Sequence, residues 1–310
     1  MFIKPCTAQE AGFYQTSVAE HPEFAQFMPT FIGTLALSNN QDATLAEQGA
    51  ELIAQQSSAE PAAGPKKIAT SVSVVLENTT HGFKHPNVLD VKLGIQLWSD
   101  DARQEKKDRF DKVTAETTHK NFGFRIAGMR VWHGVDEKHK DELDAEGFKV
   151  YSKNWGRMEV NDDNVVDSFR KFFFASTAGV DEELGKLVVE AFLAELEQVQ
   201  AVMEKQESRM YSASLLFVFE GDGEALRFAM EEATKRGEAR AKINGVNGHD
   251  ETEDGVEDED VEEDESPRIC ALKVIDFAHA EWVPGMGPDE NSLVGVRSMV
   301  KILKELGGLS

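Results

Sequence analysis

The stretch His-Pro-Asn-Val-Leu-Asp-Val-Lys-Leu-Gly at 85–94 decides how this chain is to be read. Apolar and polar residues alternate through it, as on a strand with one buried face. Asp90 and Lys92 are two residues apart, so a strand aims both charges to the same side. A solvated cross-pair is the plain explanation. The chemical one is a face that lines a cleft, where the carboxylate takes hydrogen bonds from hydroxyls and the ammonium neutralises phosphate.

The rest of the chain is consistent with a large mixed fold. Its 310 residues are 41% hydrophobic, enough for one large domain or two lobes. No apolar run is long enough to span a membrane, and the start lacks a secretory leader's pattern. Two distant cysteines, Cys6 and Cys270, fit a reducing compartment, and nucleus and cytoplasm are expected. The net charge of −23 argues against direct nucleic-acid binding. Residues 250–265 hold 12 acids and no base, which leaves −11 for the remainder. That run reads as a disordered insertion spanning 244–267, or else as an acidic dock for a basic partner.

Residues 2–5 read as a strand and Thr7–Glu10 as a capping box opening a helix. Residues 38–67, rich in Ala, Gln and Ser, read as a low-complexity loop. Strands follow at 68–78, 121–132, 212–221 and 269–280. Helices are expected over the charged stretch after residue 100, at 162–174, at 181–205 and at the end of the chain. Within 181–205, Val188, Phe192, Leu196, Val199 and Met203 mark an apolar helix face. The expectation is an α+β, two-lobed kinase-like fold: a small lobe over 1–78 and a larger one over 79–310, with charges at strand ends facing the cleft.

Phosphoryl transfer needs cations on the phosphates, carboxylates for metal ions and a group to orient the attacking hydroxyl. Asp276, ending the strand in "VIDFAHA", is a candidate magnesium ligand or a simple turn cap. Lys4 is a candidate phosphate ligand, with Glu10 to hold it, or a surface lysine. Trp132 and Trp155 read as packing residues.

Together with their neighbours, these residues carry a resemblance. "PNVLDVKLG" at 86–94 fits the pattern Pro-x-x-x-Asp-x-Lys-x-Gly of the inositol polyphosphate kinases. "VVLEN" precedes it, and "GFRIAGMRVW", "NWGR", "SASLL" and "IDFAHA" follow in the family's order. The chain resembles that family over nearly its whole length, and within it the multikinases of fungal type.

The resemblance implies transfer of the ATP γ-phosphate to soluble inositol polyphosphates, from tris- to tetrakis- and pentakisphosphate, with Mg²⁺. A hexakisphosphate kinase or a trisphosphate 3-kinase is the alternative. The short span between Gly94 and Phe124 favours the compact multikinase pocket, with 95–123 as the inositol phosphate-binding segment. By the same resemblance, Lys4 and Glu10 serve the ATP phosphates, and backbone groups of Glu77 and Thr79 take the adenine. Asp90 is base or nucleotide ligand, Lys92 is the catalytic lysine, and Asp276 with Ser214 holds the metal. The substrate's phosphates fall to Lys92, Arg109, Lys112, Arg130, Lys153 and His279. Family members carry a hairpin ahead of the lysine strand, whereas this sequence opens at "MFIKP". Either the start lies upstream or the hairpin is absent, and its absence predicts weakened ATP binding. A monomer is expected. Family multikinases also stabilise transcription-factor complexes, and such a partner would dock on the acidic run, even as the chain's only role.

Overall fold

The computed structural model describes residues 1–36, 72–134, 141–246 and 268–309. The fold is α+β. A three-stranded antiparallel sheet, β1 (Phe2–Pro5), β3 (Val72–Leu76) and β2 (Phe31–Ala36) in that order, meets a larger five-stranded one. The larger sheet runs β6 (Phe148–Tyr151), β5 (Phe124–Trp132), β4 (Pro86–Leu93), β8 (Ser214–Glu220) and β9 (Cys270–Ile275), all antiparallel. A two-stranded ribbon pairs β7 (Ser208–Met210) with β10 (Ala280–Trp282).

The alternation in 85–94 is what places β4 at the centre. Asn87, Leu89, Val91 and Leu93 are buried, while Val88, Asp90 and Lys92 take the half-buried opposite face. Helices cover the apolar face. In α7 (Glu182–Met203) the side chains of Val188, Phe192, Leu196, Val199 and Met203 are all buried. They pack with α9 (Glu290–Gly307) and β9 into one continuous core.

The first helix, α1 (Ala8–Glu20), starts on half a capping box. Thr7 Oγ1 accepts from Glu10 N at 3.1 Å, but the Glu10 carboxylate turns to Lys4 instead of closing the box. Its apolar face, with that of α2 (Pro22–Ala25), meets the segment after β9. Phe277 stacks on Phe13 at 4.9 Å and meets Tyr14 and Phe24 edge-on. The residue after Asp276 is thereby pinned against the first helix of the chain.

Other segments differ from the sequence reading. Strand β2 was not expected, because Gly33 and Thr34 interrupt its apolar run. The expected strand at 121–132 begins only at Phe124; before it stands a single turn, α4 (His119–Phe122), closed by Gly123 at φ 68°. Helix α8 (Gly223–Val246) was missed altogether. Its Ala, Glu, Lys and Arg are strong helix formers, but they give it little apolar periodicity. It runs through 246, past the expected start of the acidic insertion at 244; the rest of that insertion and the loop at 38–67 lie outside the described residues.

Removing the Phe277 ring deletes the contact between α1, α2 and the end of β9. Phe277→Ala is expected to cost about 3–5 kcal/mol, read as a lower denaturation midpoint in guanidinium chloride with the slope unchanged.

Candidate active site

The cleft face of β4 sets the site. Across the larger sheet, Lys92 lies opposite Arg125 on β5 and Ser214 on β8, and Ser214 lies opposite Ile275 on β9. Asp276 follows directly. One row of residues thus crosses the sheet and carries the site's charges. Its two flanking turns are strained: Ser212 (φ 62°) and Asp276 (φ 68°) are the non-glycine residues with left-handed backbone among those described. The Ser212 turn aims its carbonyl at Lys92 Nζ, which donates to it at 2.7 Å.

At the small-sheet side, Lys4 Nζ bridges Glu10 Oε1 at 2.8 Å and Asp276 Oδ1 at 2.9 Å. Burial works against the Lys4 charge, but Asp276 and Glu10 outweigh it and hold the lysine above its ordinary pKa. Burial likewise favours a neutral Asp276, yet Lys4 and Lys92 keep its carboxyl below the usual range. Asp90 goes the other way. Burial and then the charge of Asp276 push it up, against the weaker pull of Lys92, Ser214 and Arg125. Two carboxyls driven apart in this manner suit different tasks: Asp276 stays ionised, and Asp90 is the better proton acceptor. Burial pulls Lys92 down, although Asp276 and Asp90 support its charge.

Buried polar atoms in this neighbourhood lack partners. Asp90 Oδ1 and Ser214 Oγ make no hydrogen bond of ordinary geometry, though Ser214 is close enough to favour the Asp90 anion. Such orphans are rare in a packed interior and mark places prepared for a ligand. With Asp276 they are hard oxygen donors, the type that magnesium or manganese takes. Among the described residues no cluster of three or more His, Cys, Asp or Glu side chains could hold a metal alone. A cation here would complete its shell from phosphate oxygens and water.

Beyond Lys92 opens a cleft of about 540 Å³. Six cations line it: Lys92, Lys106, Arg109, Arg125, Lys153 and Arg157. His279 joins them, and Leu97, Phe110 and Val113 supply apolar wall. None of the lining side chains is a carboxylate. The local sequence explains the convergence. Lys106, Arg109, Phe110 and Val113 recur at steps of three and four along α3 (Gln104–Ala115), so one face of that helix looks into the cleft. Lys153 and Arg157 are one turn apart on α5 (Lys153–Met158). That helix lies so close to β5 that a Cβ on Gly156 would come within 2.1 Å of Ile126 O. His279 Nε2 is 3.2 Å from Lys106 Nζ, and burial, then Lys106, depress its pKa, so the neutral ring accepts from the ammonium.

Of the expected site residues, the structure brings Lys4, Glu10 and Asp276 together, and Lys92, Arg109, Lys153 and His279 into the cleft. Two expected substrate ligands do not line it. Lys112 lies roughly a third of a turn round α3 from the cleft-facing side and faces Glu116 at 3.8 Å. Arg130 is on the correct face of the sheet but opposite Val88, four residues along β4 from Lys92, roughly 13 Å. There it pairs with Asp144 at 3.0 Å and Glu146 at 2.6 Å and covers the Phe148 ring.

The bulge between Asp90/Gly128 and Val91/Ile126 leaves Ala127 unpaired and resets the alternation of β5. It puts both Arg125 and Arg130 on the cleft side, though they stand five positions apart, an odd step. Arg125 was missed because simple alternation assigns the two arginines to opposite faces. Lys106 and Arg157 were missed too; the three-and-four spacing from Arg109 and from Lys153 was the available signal.

Glu77 and Thr79 sit between the two sheets, in 77–85. The Glu77 N–H already donates to Thr30 O at 2.9 Å, which leaves its carbonyl as the group to offer a base. The Glu77 carboxylate is engaged by Thr30 and Arg268. Trp132 and Trp155 are packing residues, Trp132 stacked on His85 and Trp155 against Tyr151.

A cleft lined by six cations and no carboxylate, beside one acid on a strand and another at a strand's end, is the site of a phosphotransferase acting on an anionic acceptor. Comparison with known proteins gives the family. The family model "Inositol polyphosphate kinase" matches residues 73–304. An inositol polyphosphate multikinase of Saccharomyces cerevisiae is 28% identical, covering 97% of this chain and 91% of that protein. The Schizosaccharomyces pombe multikinase is 26% identical over 97% of this chain and 88% of its own length. Human inositol hexakisphosphate kinase 1 is 28% identical over 75% of this chain and 52% of its own. The structure of the inositol phosphate multikinase Ipk2 of S. cerevisiae, in complex with ADP and Mn²⁺, superposes with a TM-score of 0.64 at 26% identity, covering 98% of each chain. The chain belongs to the inositol polyphosphate kinase family and is a kinase.

The buried His119 braces the end of β4. Its Nδ1–H donates to Gly94 O at 2.7 Å, and burial, then Arg125, bring its pKa down to about 3. The unfolded chain therefore takes up a proton near pH 6.5 that the folded chain refuses, so stability falls as pH drops below that value. Between pH 7 and pH 5 the native chain is expected to lose about 2 kcal/mol more than His119→Gln, measured by urea unfolding at both pH values.

Proposed function

We propose that this chain is an inositol polyphosphate multikinase: it moves the γ-phosphate of ATP to hydroxyls of soluble inositol polyphosphates, taking tris- to tetrakis- and pentakisphosphate. The observation that carries this reading is the cleft of six cations and a neutral histidine, with no lining carboxylate, opening directly off Lys92. On a chain of net charge −23, such a cluster is a local device for a polyanion. The likeness to yeast multikinases over nearly the whole chain supports the same reading.

In this reading Lys4, held by Glu10, meets the ATP phosphates, and its contact with Asp276 loosens as the nucleotide enters. The Glu77 carbonyl and Thr79 backbone receive the adenine. Asp276, with Ser214 beside it, holds a magnesium ion, as the yeast Ipk2 crystals' Mn²⁺ suggests for this chain. That ion supplies charge neutralisation on the phosphates. Asp90, whose pKa lies above the ordinary aspartate value, receives the proton of the attacking hydroxyl or orients it. Lys92 lies between the nucleotide and the acceptor and neutralises the phosphoryl group in transit. Arg109, Lys153 and His279 hold the acceptor's phosphates. Division into lobes near residue 78, a monomeric state, residence in nucleus and cytoplasm, and a transcription-factor contact through 250–265 complete the reading.

The test is turnover of separate inositol phosphates with ATP. Successive products from the trisphosphate to the pentakisphosphate, with the hexakisphosphate untouched, are expected. Conversion of the hexakisphosphate would instead make the chain a hexakisphosphate kinase, and arrest at a single tetrakisphosphate made from the trisphosphate would make it a 3-kinase. Lys92→Ala and Asp276→Ala should each lower kcat by roughly a hundredfold or more, and a variant with wild-type kcat removes that residue from the mechanism.

A further inference from the structure

The cleft holds an arrangement that the roles above do not use. Arg125 is buried to 3% exposure, yet its Nε has no partner. Its NH1 reaches only the carbonyl of the next residue, Ile126, at 3.2 Å. Burial lowers its pKa; Asp90 opposes, and the neighbouring charge of Arg157 lowers it further. Both guanidiniums line the cleft, whose lining includes no carboxylate. Like charges in a partly desolvated cleft repel, and an anion at hand relieves the repulsion; Asp90 does so in part for Arg125.

The anion beside Arg157 is Glu116, which caps the C-terminus of α3. Its Oε2 lies 3.8 Å from Arg157 NH2 and its Oε1 3.8 Å from Lys112 Nζ. Both contacts are at the outer limit of an ion pair, and Glu116 is half exposed. Such pairs contribute little and exchange readily. A phosphate is a better partner for Arg157: it carries more charge, presents several acceptor oxygens and matches the guanidinium fork. Gly156 fixes the backbone beside Arg157 against β5, so the side chain swings from a rigid base.

Resting on the kinase reading above, we propose that Arg125 and Arg157 form a phosphate subsite in the cleft, on the β5 side of Lys92, and that Glu116 is the counter-charge Arg157 gives up when the inositol phosphate binds. Glu116 then acts as a brake on affinity. It sets how strongly the enzyme holds an acceptor phosphate, without touching the reacting atoms.

The experiment uses the full chain with Glu116→Gln, Arg157→Gln and Arg157→Lys. Inositol trisphosphate binding is measured by calorimetry without nucleotide, and KM for the trisphosphate and for ATP by turnover. Glu116→Gln should tighten trisphosphate binding by about two- to fivefold. Arg157→Gln should weaken it by about tenfold or more, and Arg157→Lys should restore part of the loss. KM for ATP should not move in any of the three. Opposite signs for the two sites are the result that a merely structural role does not produce. Equal affinities in all variants, or a loss in Glu116→Gln, would overturn the subsite. If Arg157→Gln fails to fold, Glu116→Gln and Arg157→Lys decide alone. A wild-type chain that binds the trisphosphate but transfers no phosphate to it sinks the kinase reading and leaves the subsite standing. Normal turnover with variants that behave alike does the reverse.

Discussion

The Lys4 ammonium is the point on which this structure turns. It comes from the first strand, takes one carboxylate from the first helix and a second from the end of the last strand of the large sheet. A second ion pair, Glu77 with Arg268 at 3.2 Å, joins the two sheets at the other end of β9, away from the charged row. The aromatic cluster around Phe277 seals the Lys4 contact from below, so the bridge is fixed by packing as well as by attraction. Because Asp276 is held ionised at this bridge, its charge reaches Asp90 and Lys92, favouring the neutral form of the first and the ammonium of the second. The chemistry of the row across the sheet thus follows from one ion pair at its edge.

The protein reconciles an acidic chain with a polyanionic acceptor by sorting its charges in space. Four short elements do the sorting: one face of a charged helix, a short helix set close by a glycine, the open face of the central strand, and Arg125 on the strand beside it. None of them is strongly basic alone. Helix α3 carries Glu105, Asp108 and Asp111 as well as its lysines and Arg109, and only its orientation on the sheet sends the cations inward. Net charge therefore says little about what this protein binds.

Much of this was legible in the sequence, for reasons that can be named. The period of two in 85–94 carries the central strand and its charged face, and the three-and-four spacing in 181–205 carries the helix behind it. Lys4, Glu10, Asp276 and Lys92 could be singled out because each is a charge set in or beside an apolar run. What escaped depends on information that no local period holds. Helix α8 lacks a clear apolar stripe, Lys112 and Arg109 are distinguished only by how their helix is rotated on the sheet, and Arg130 stands too far along its strand. The pairing of Glu116 with Arg157 joins residues 41 positions apart and exists only once both helices have docked.

Ala127, the extra residue in the bulge of β5, gives the site an unusual dependence on chain length. Every other position of that strand could be exchanged for another amino acid at a cost confined to its own contacts. Deletion of this one alanine would slide half of the strand by a single step. Either the Arg125 half would turn its guanidinium into the hydrocarbon interior, or the Arg130 half would do so and expose Met129 and Val131 to water. The catalytic face is therefore written not only in which residues the strand contains but in how many.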